Sequence, residues 1–269
     1  MRLHFDHLVH FIDRNPAEVV SCLREEGFHA VMGGHHEMWG TYNALCYFDL
    51  AYVEFLAVED RSVAESARDN GLISQLLWDL QKGEGFGQIA IRTDDILGLA
   101  NLLREKGFEI DLREGSRKRN DGSLLRWKML FIANDAERLP YPFFIEWDQD
   151  DESRRVELTA RKVIANHPLG NLKLKAIYYL VNHLASSIEK WSLMLGCAAS
   201  DPYVDDELGS TCQSFKIGEV EIIFCQPSQE NHIGPMLINR GERPFMIKLT
   251  GASKAKKINL YNGIYLLEP

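Results

Sequence analysis

A chain of 269 residues that is 45% apolar and 26% charged can bury a core in one large or two ordinary domains, which excludes a disordered chain. Its net charge of −9 repels polyanions, so nucleic acid is not expected as a partner. The opening stretch MRLHFDHLVHFID lacks the basic and apolar regions of a secretory signal, and no apolar run approaches the roughly 18 residues that span a membrane. Five scattered cysteines, Cys22, Cys46, Cys197, Cys212 and Cys225, form no C-x-x-C pair and suit buried thiols in a reducing compartment, so a cytoplasmic location is expected.

Alternation predicts a first strand over 4–12. Asn15-Pro16-Ala17-Glu18 then supplies an N-cap, a proline at the first helical position and an early acid, and the helix runs to Gly27. Strands follow at 28–32, 43–48 and 52–58. The segment 60–82, with Leu72, Ile73, Leu76, Leu77 and Leu80, reads as one linking amphipathic helix. The order then repeats: a strand at 87–92, a helix from near Asp94 to Gly107, and strands at 108–112, 124–133 and 143–147. A charged bridge at 152–166 and the turn Asn166-His167-Pro168-Leu169-Gly170 lead to a third round. It comprises a strand at 174–181, a helix from near Asn182 to Gly196, and strands at 211–217 and 220–225. The tail holds remnants of a fourth at 244–249 and 264–267. The glycines that stop the three helices lie about 80 and 89 residues apart by subtraction, the spacing of a small structural module, and each suits a left-handed C′ position.

The fold class expected is α+β, built from tandem βαβββ modules. Residues 1–150 form one domain, with modules at 1–59 and 84–150 and the linking helix at 60–83, and residues 151–269 form a third module with a partial fourth. One such sheet leaves its concave face open, and two side by side would enclose a pocket lined by first and fourth strands.

Superposing the second module on the first by strand and helix pattern sets His7 against Gln88 and Glu54 against Glu146. On these positions, together with Trp39-Gly40-Thr41-Tyr42-Asn43 and Tyr52-Val53-Glu54, the chain resembles the glyoxalase-like branch of the vicinal oxygen chelate superfamily. The resemblance covers the first two modules and extends more weakly into the third. It implies that His7, Glu54, Gln88 and Glu146 bind a divalent metal (Zn, Ni, Co or Mn), with Glu146 also the proton-shuttling catalytic base and no organic cofactor. It implies isomerase or lyase chemistry on a small oxygenated metabolite, or, as the alternative, metal-free binding of a drug or aromatic compound. Extradiol oxygenation is disfavoured because Gln88 stands where a second histidine would be. Trp39, Thr41, Asn43, Arg126 and Trp147 are the candidate substrate contacts.

Other readings stay open at the sequence level. His7 and Glu54 suit either a metal or a pocket-lining hydrogen-bonded pair, and Gln88 suits a plain hydrogen bond as well as a metal. Adjacent His35 and His36 should point to opposite sides, and residues 33–40 read as a mobile loop at the pocket mouth with Trp39 as a lid. Residues 113–122 read first as a solvated hairpin; the functional reading has Arg117, Arg119 or Arg126 holding an anionic substrate at the rim. Lys254, Lys256 and Lys257 read as surface. In the third module Ala176 and Ile223 fall opposite His7 and Glu54, so no metal is expected there, and that module is left to packing, a lid or a homodimer interface.

Overall fold

The computed structural model describes residues 1–118, 124–133, 138–228 and 232–269. The first module runs β1 (Leu3–Phe11), α1 (Pro16–Glu25), β2 (Val31–His36), β3 (Thr41–Phe48) and β4 (Ala51–Val58). Asn15 caps α1 by accepting from the Ala17 N–H, and Pro16 occupies its first turn. Two short helices follow, α2 (Arg61–Ser66) and α3 (Gly71–Asp79). The second module runs β5 (Gly85–Thr93), α4 (Ile96–Glu105), β6 (Ile110–Lys118), β7 (Leu124–Ile132) and β8 (Phe143–Trp147). These eight strands make one sheet in the order β2-β3-β4-β1-β5-β8-β7-β6. In each module the fourth strand lies parallel beside the first, and the two modules meet where β1 runs antiparallel to β5.

Helix α5 (Asp151–Ala160) leads to a second sheet formed from β9 (Gly170–Leu180), α6 (Leu184–Leu195), β10 (Tyr203–Asp205), β11 (Ser210–Ile217), β12 (Val220–Pro227), α7 (Gly234–Arg240), β13 (Pro244–Ala252), β14 (Lys256–Leu260) and β15 (Gly263–Leu267). Its order, β10-β11-β12-β9-β13-β15-β14, repeats the modular arrangement and leaves the fourth module as three strands, with β13 parallel to β15. The fold is therefore the expected α+β assembly of tandem βαβββ modules. Gly27, Gly107 and Gly196 follow α1, α4 and α6 with φ of 93°, 86° and 71°, the left-handed geometry that ends those helices without a Cβ clash.

Three local readings change. The linker is two helices, because Asn70 breaks the run and caps α3 through the Leu72 and Ile73 N–H groups. Residues 33–40 are the end of β2 and a 3-10 turn at Glu37–Trp39 rather than a loop. Lys256 and Lys257 are at the surface as read, on the edge strand β14, a usual guard against edge pairing. Of the cysteines, Cys46, Cys212 and Cys225 are buried, but Cys22 is half-buried and Cys197 exposed.

The main core lies between the outer faces of the two sheets, where Phe55, Phe86, Ile89 and Phe144 of the first join Ile177, Ile247 and Tyr265 of the second. Ala176 and Ile223 sit in a separate apolar cluster of the second sheet. The concave face of the first sheet carries Val9, Phe11, Leu56, Ala90, Trp127, Met129, Phe143 and Ile145, and Leu72 and Leu76 of α3 are sunk among them. The linker thus fills much of the space that two half-shells would otherwise enclose.

Candidate functional site

The site begins with an irregularity in β1. Phe5 pairs with Ile91 and His7 with Ala90, so Asp6 is an extra residue in the ladder. Such a bulge re-aims side chains. Here it allows neighbouring Asp6 and His7, which strict alternation would send to opposite faces, to meet: Asp6 Oδ1 lies 2.7 Å from His7 Nδ1. Asp6 is fully buried. Burial alone would raise its pKa, but the Arg154 guanidinium, the His7 hydrogen bond and Arg92 outweigh it and hold the carboxyl well below the usual range. Trp147 Nε1 donates to its second oxygen at 3.0 Å, and Arg154 Nη1 lies 3.4 Å from the same atom. An ionised Asp6 can only accept, so His7 Nδ1 carries the hydrogen and Nε2 is the working atom.

That atom faces Glu54 on β4, with Oε2 at 3.5 Å. The other oxygen of Glu54 accepts from Asn43 Nδ2 at 2.5 Å, and Asn43 is fixed in turn because its Oδ1 accepts the Gly34 N–H at 2.9 Å. Two acceptor atoms turned toward each other in a buried place call for one proton between them. Tyr52 stacks on the His7 ring at 4.5 Å, and Phe143 meets it edge-on.

His7 and Glu54 open onto a narrow cleft of about 50 Å³. Its apolar wall is Leu56, Leu72, Ile73, Met129, Phe143 and Ile145, and its aromatic wall is Trp39 and Trp127, with ring centres 6.2 Å apart. His36 and Thr41 complete it and bond to each other at 3.1 Å. Burial, with Arg117 and His35 adding to it against the pull of Glu54, lowers the His36 pKa to about 4. His35 points the other way, to Glu59, as neighbours on a strand should.

The structure brings together His7, Glu54, Trp39 and Thr41, with Asn43 directly behind Glu54. It does not bring Gln88 and Glu146 to them. Gln88 shares the concave face, since it pairs with Val9, but lies across α3: that helix shows Leu72 and Ile73 to the His7 cleft and Ser74 and Gln75 to a second cavity, which Gln88 lines. Gln88 Nε2 donates to the Tyr141 carbonyl at 2.7 Å. Glu146 is on the opposite face. If Gln88 matches His7, then Ala90 matches Val9; Val9 pairs with Glu54 and Ala90 with Phe143, so Phe143 is the counterpart of Glu54. Glu146, three residues farther, has the opposite parity and turns outward. There it accepts the Ile96 N–H at the start of α4 and pairs with Lys128 at 3.1 Å. Arg126 is exposed and shares Lys128's outward parity, away from the cleft. Trp147 donates to Asp6 and packs on Trp127 without lining the cleft itself, and Arg119 lies outside the described residues.

The divalent metal implied by the resemblance was to be held by His7, Glu54, Gln88 and Glu146. Only His7 Nε2 and Glu54 Oε2 converge, and among the described residues no three His, Cys, Asp or Glu side chains are grouped to hold an ion. These residues do not fit that four-donor centre. Sequence reasoning missed Asp6, Arg154, Tyr52, His36 and Trp127. Of these only Asp6 left a signal, a carboxylate beside His7 in an otherwise apolar strand.

Paired βαβββ modules with their polar residues on the concave face define a vicinal oxygen chelate fold. The Glyoxalase-like domain family model matches residues 5–195, and the chain belongs to that family. A hypothetical protein from Staphylococcus aureus shares the fold over 99% of both chains, with a TM-score of 0.80 and 20% identity. A mutant of 4-hydroxymandelate synthase from Streptomyces coelicolor is similar over 92% of this chain and 71% of its own, with a TM-score of 0.56 and 8% identity. Methylmalonyl-CoA epimerase from Streptomyces coelicolor matches 54% of this chain and 98% of its own, at 19% identity and a TM-score of 0.36. No curated protein matches the chain. No helix among the described residues is long and apolar enough to cross a membrane.

Proposed function

We propose that the chain binds a small oxygenated molecule in the cleft beside His7 and Glu54 and moves a proton on it, as an isomerase or lyase does. The observation that supports this is the ordered run Asp6–His7–Glu54–Asn43 at the wall of an apolar cleft. Isomerisation removes a proton from one atom and returns one to its neighbour. Two groups 3.5 Å apart with one proton between them can do both, Glu54 as base and His7 as the partner that takes or returns the charge. Asp6 fixes the imidazole and offsets its charge, while the apolar walls exclude water and strengthen each of these interactions. His7 and Glu54 supply two of the four donors that the family's divalent ion would use, and elemental analysis of protein purified without chelators is the direct check on that ion.

The test is solvent exchange. Incubation with dihydroxyacetone or pyruvate in D₂O, followed by NMR, should show carbon-bound hydrogen replaced by deuterium. Glu54→Gln and His7→Asn should each slow the exchange by about 100-fold or more in protein that circular dichroism shows to be folded. Equal rates in wild type and variants would remove the reading. A second reading, a binding protein for an aromatic compound, draws on Trp39 and Trp127, which pack edge to face in the cleft wall. It predicts tight, chelator-indifferent binding of 2-naphthol without exchange into any carbonyl compound.

A further inference from the structure

Strand pairing settles which way the β6 arginines point. Residues directly opposed across an antiparallel pair share a face. Arg113 opposes Met129, Gly115 opposes Trp127 and Arg117 opposes Leu125, and all three β7 partners belong to the concave-face cluster. Arg113 and Arg117 therefore both project to the side of the sheet that holds the cleft. Arg113 is neutralised there by Asp69 and Asp111. Arg154, also on that side, has Asp6. Arg117 is half-buried, and no ion pair or hydrogen bond joins it to any described residue.

Its position is built into the neighbouring chain. Arg117 lies over Gly34 of β2, where a Cβ would come within 2.8 Å of its Cδ and 2.9 Å of Nη1. At Gly33 a Cβ would strike Asn43 Oδ1. The paired glycines thus leave room on one side for the guanidinium and on the other for the amide that holds Glu54. The Gly34 N–H is itself the donor to Asn43, so Arg117 sits one backbone step from the Glu54 network. It lines an open groove with His35, Met38, Leu125 and Leu158, at the seam where β2 and β6 approach. Its charge is felt by His36, a wall of the cleft.

We propose that Arg117 receives an oxyanion, carboxylate or phosphate, on a ligand whose apolar body occupies the cleft. The proposal rests on the cleft being the binding site and adds the substrate class: an anion with a short apolar or aromatic portion. A planar guanidinium that no acid among the described residues pairs matches such a group through two parallel N–H donors. Neutral carbonyl compounds would lack this contact.

The probes are phenylacetate, phenyl phosphate and the neutral phenylacetamide, titrated against the full chain by calorimetry and tryptophan fluorescence. One of the two anions should bind about 10-fold or more tighter than phenylacetamide. Arg117→Ala and Arg117→Gln should each abolish that preference, Arg117→Lys should keep part of it, and none should change phenylacetamide binding. The stronger of the two anions identifies the oxyanion. The proposal is overturned if anions and amide bind alike, if the preference survives in both Arg117→Ala and Arg117→Gln, or if no probe binds at millimolar concentration. The cleft is tested separately, because probe-induced quenching there should vanish in Trp39→Phe. Calorimetric binding with no Trp39-dependent quenching would sink the cleft reading, whatever the Arg117 comparison gives.

Discussion

Asp6 shows how much one buried carboxylate can organise. It is fully buried, it sets the His7 tautomer, and it carries the only ion pair of the buried Arg154 among the described residues. Removing one member of such a pair leaves an uncompensated buried charge, which typically costs about 3–5 kcal/mol, whereas replacing both members with apolar groups can be nearly neutral. Asp6→Asn should therefore lower stability by that order in urea denaturation, and Asp6→Asn combined with Arg154→Met should recover much of the loss. A double variant no more stable than the single one would show that Asp6 acts on the fold by another route. The sign with pH follows from the depressed pKa. Asp6 contributes fully above its unfolded value of 3.8, and the contribution drains as pH falls below that toward the lower folded value. Asp6→Asn should flatten this acid limb.

At the scale of elements, Glu146 and α4 show which information strand patterns carry. Alternation, caps and stop glycines were enough to place most strands, the three long module helices and the modular order, because these are local consequences of period and turn chemistry. The inter-module alignment needed parity as well. Matching Glu54 with Glu146 by residue type placed on the concave face a side chain that ladder pairing turns outward. The bulge at Asp6 and the seating of the 71–79 helix on the concave face are likewise set by tertiary contacts, so periodicity showed the helix but not where it packs. Glu54 and Thr41 were legible since their strands kept regular alternation, whereas His7, beside the bulge, and Trp39, in a 3-10 turn, were legible from residue type and the neighbouring motif. Glu146 instead serves a helix end. Its carboxylate accepts the Ile96 N–H at 2.7 Å, where the helix dipole favours negative charge. Glu146→Ala should cost about 0.5–2 kcal/mol in thermal or urea unfolding, as lost helix caps do, and leave probe binding in the cleft unchanged. A selective loss of binding or turnover would return Glu146 to the site.

Across the whole molecule, the two sheets are joined by a buried histidine. His10, on the β1 face opposite His7, bonds through Nδ1 to the Tyr265 hydroxyl at 2.8 Å and through Nε2 to the Tyr261 carbonyl at 2.9 Å. Phe86 and Phe55 enclose its ring. Burial lowers its pKa to about 3, with Arg240 adding to the effect and the Tyr261 carbonyl and Glu84 opposing it. The unfolded chain takes up this proton near pH 6.5 and the folded chain only near 3, so between those values unfolding binds a proton and stability falls as pH falls. At about 1.36 kcal/mol per pH unit, acidification to pH 5 should cost up to about 2 kcal/mol through His10 alone. His36 and His167, also lowered by burial, act in the same direction. Urea unfolding of wild type and His10→Gln at pH 7 and pH 5 isolates the His10 share, because the variant keeps every other titrating group. Its loss between the two pH values should be smaller than that of wild type by that amount. Equal losses would mean that the ring is charged already in the folded protein or that the joint between the sheets opens before the chain unfolds, and fluorescence from Tyr261 and Tyr265 under the same acidification would separate these outcomes.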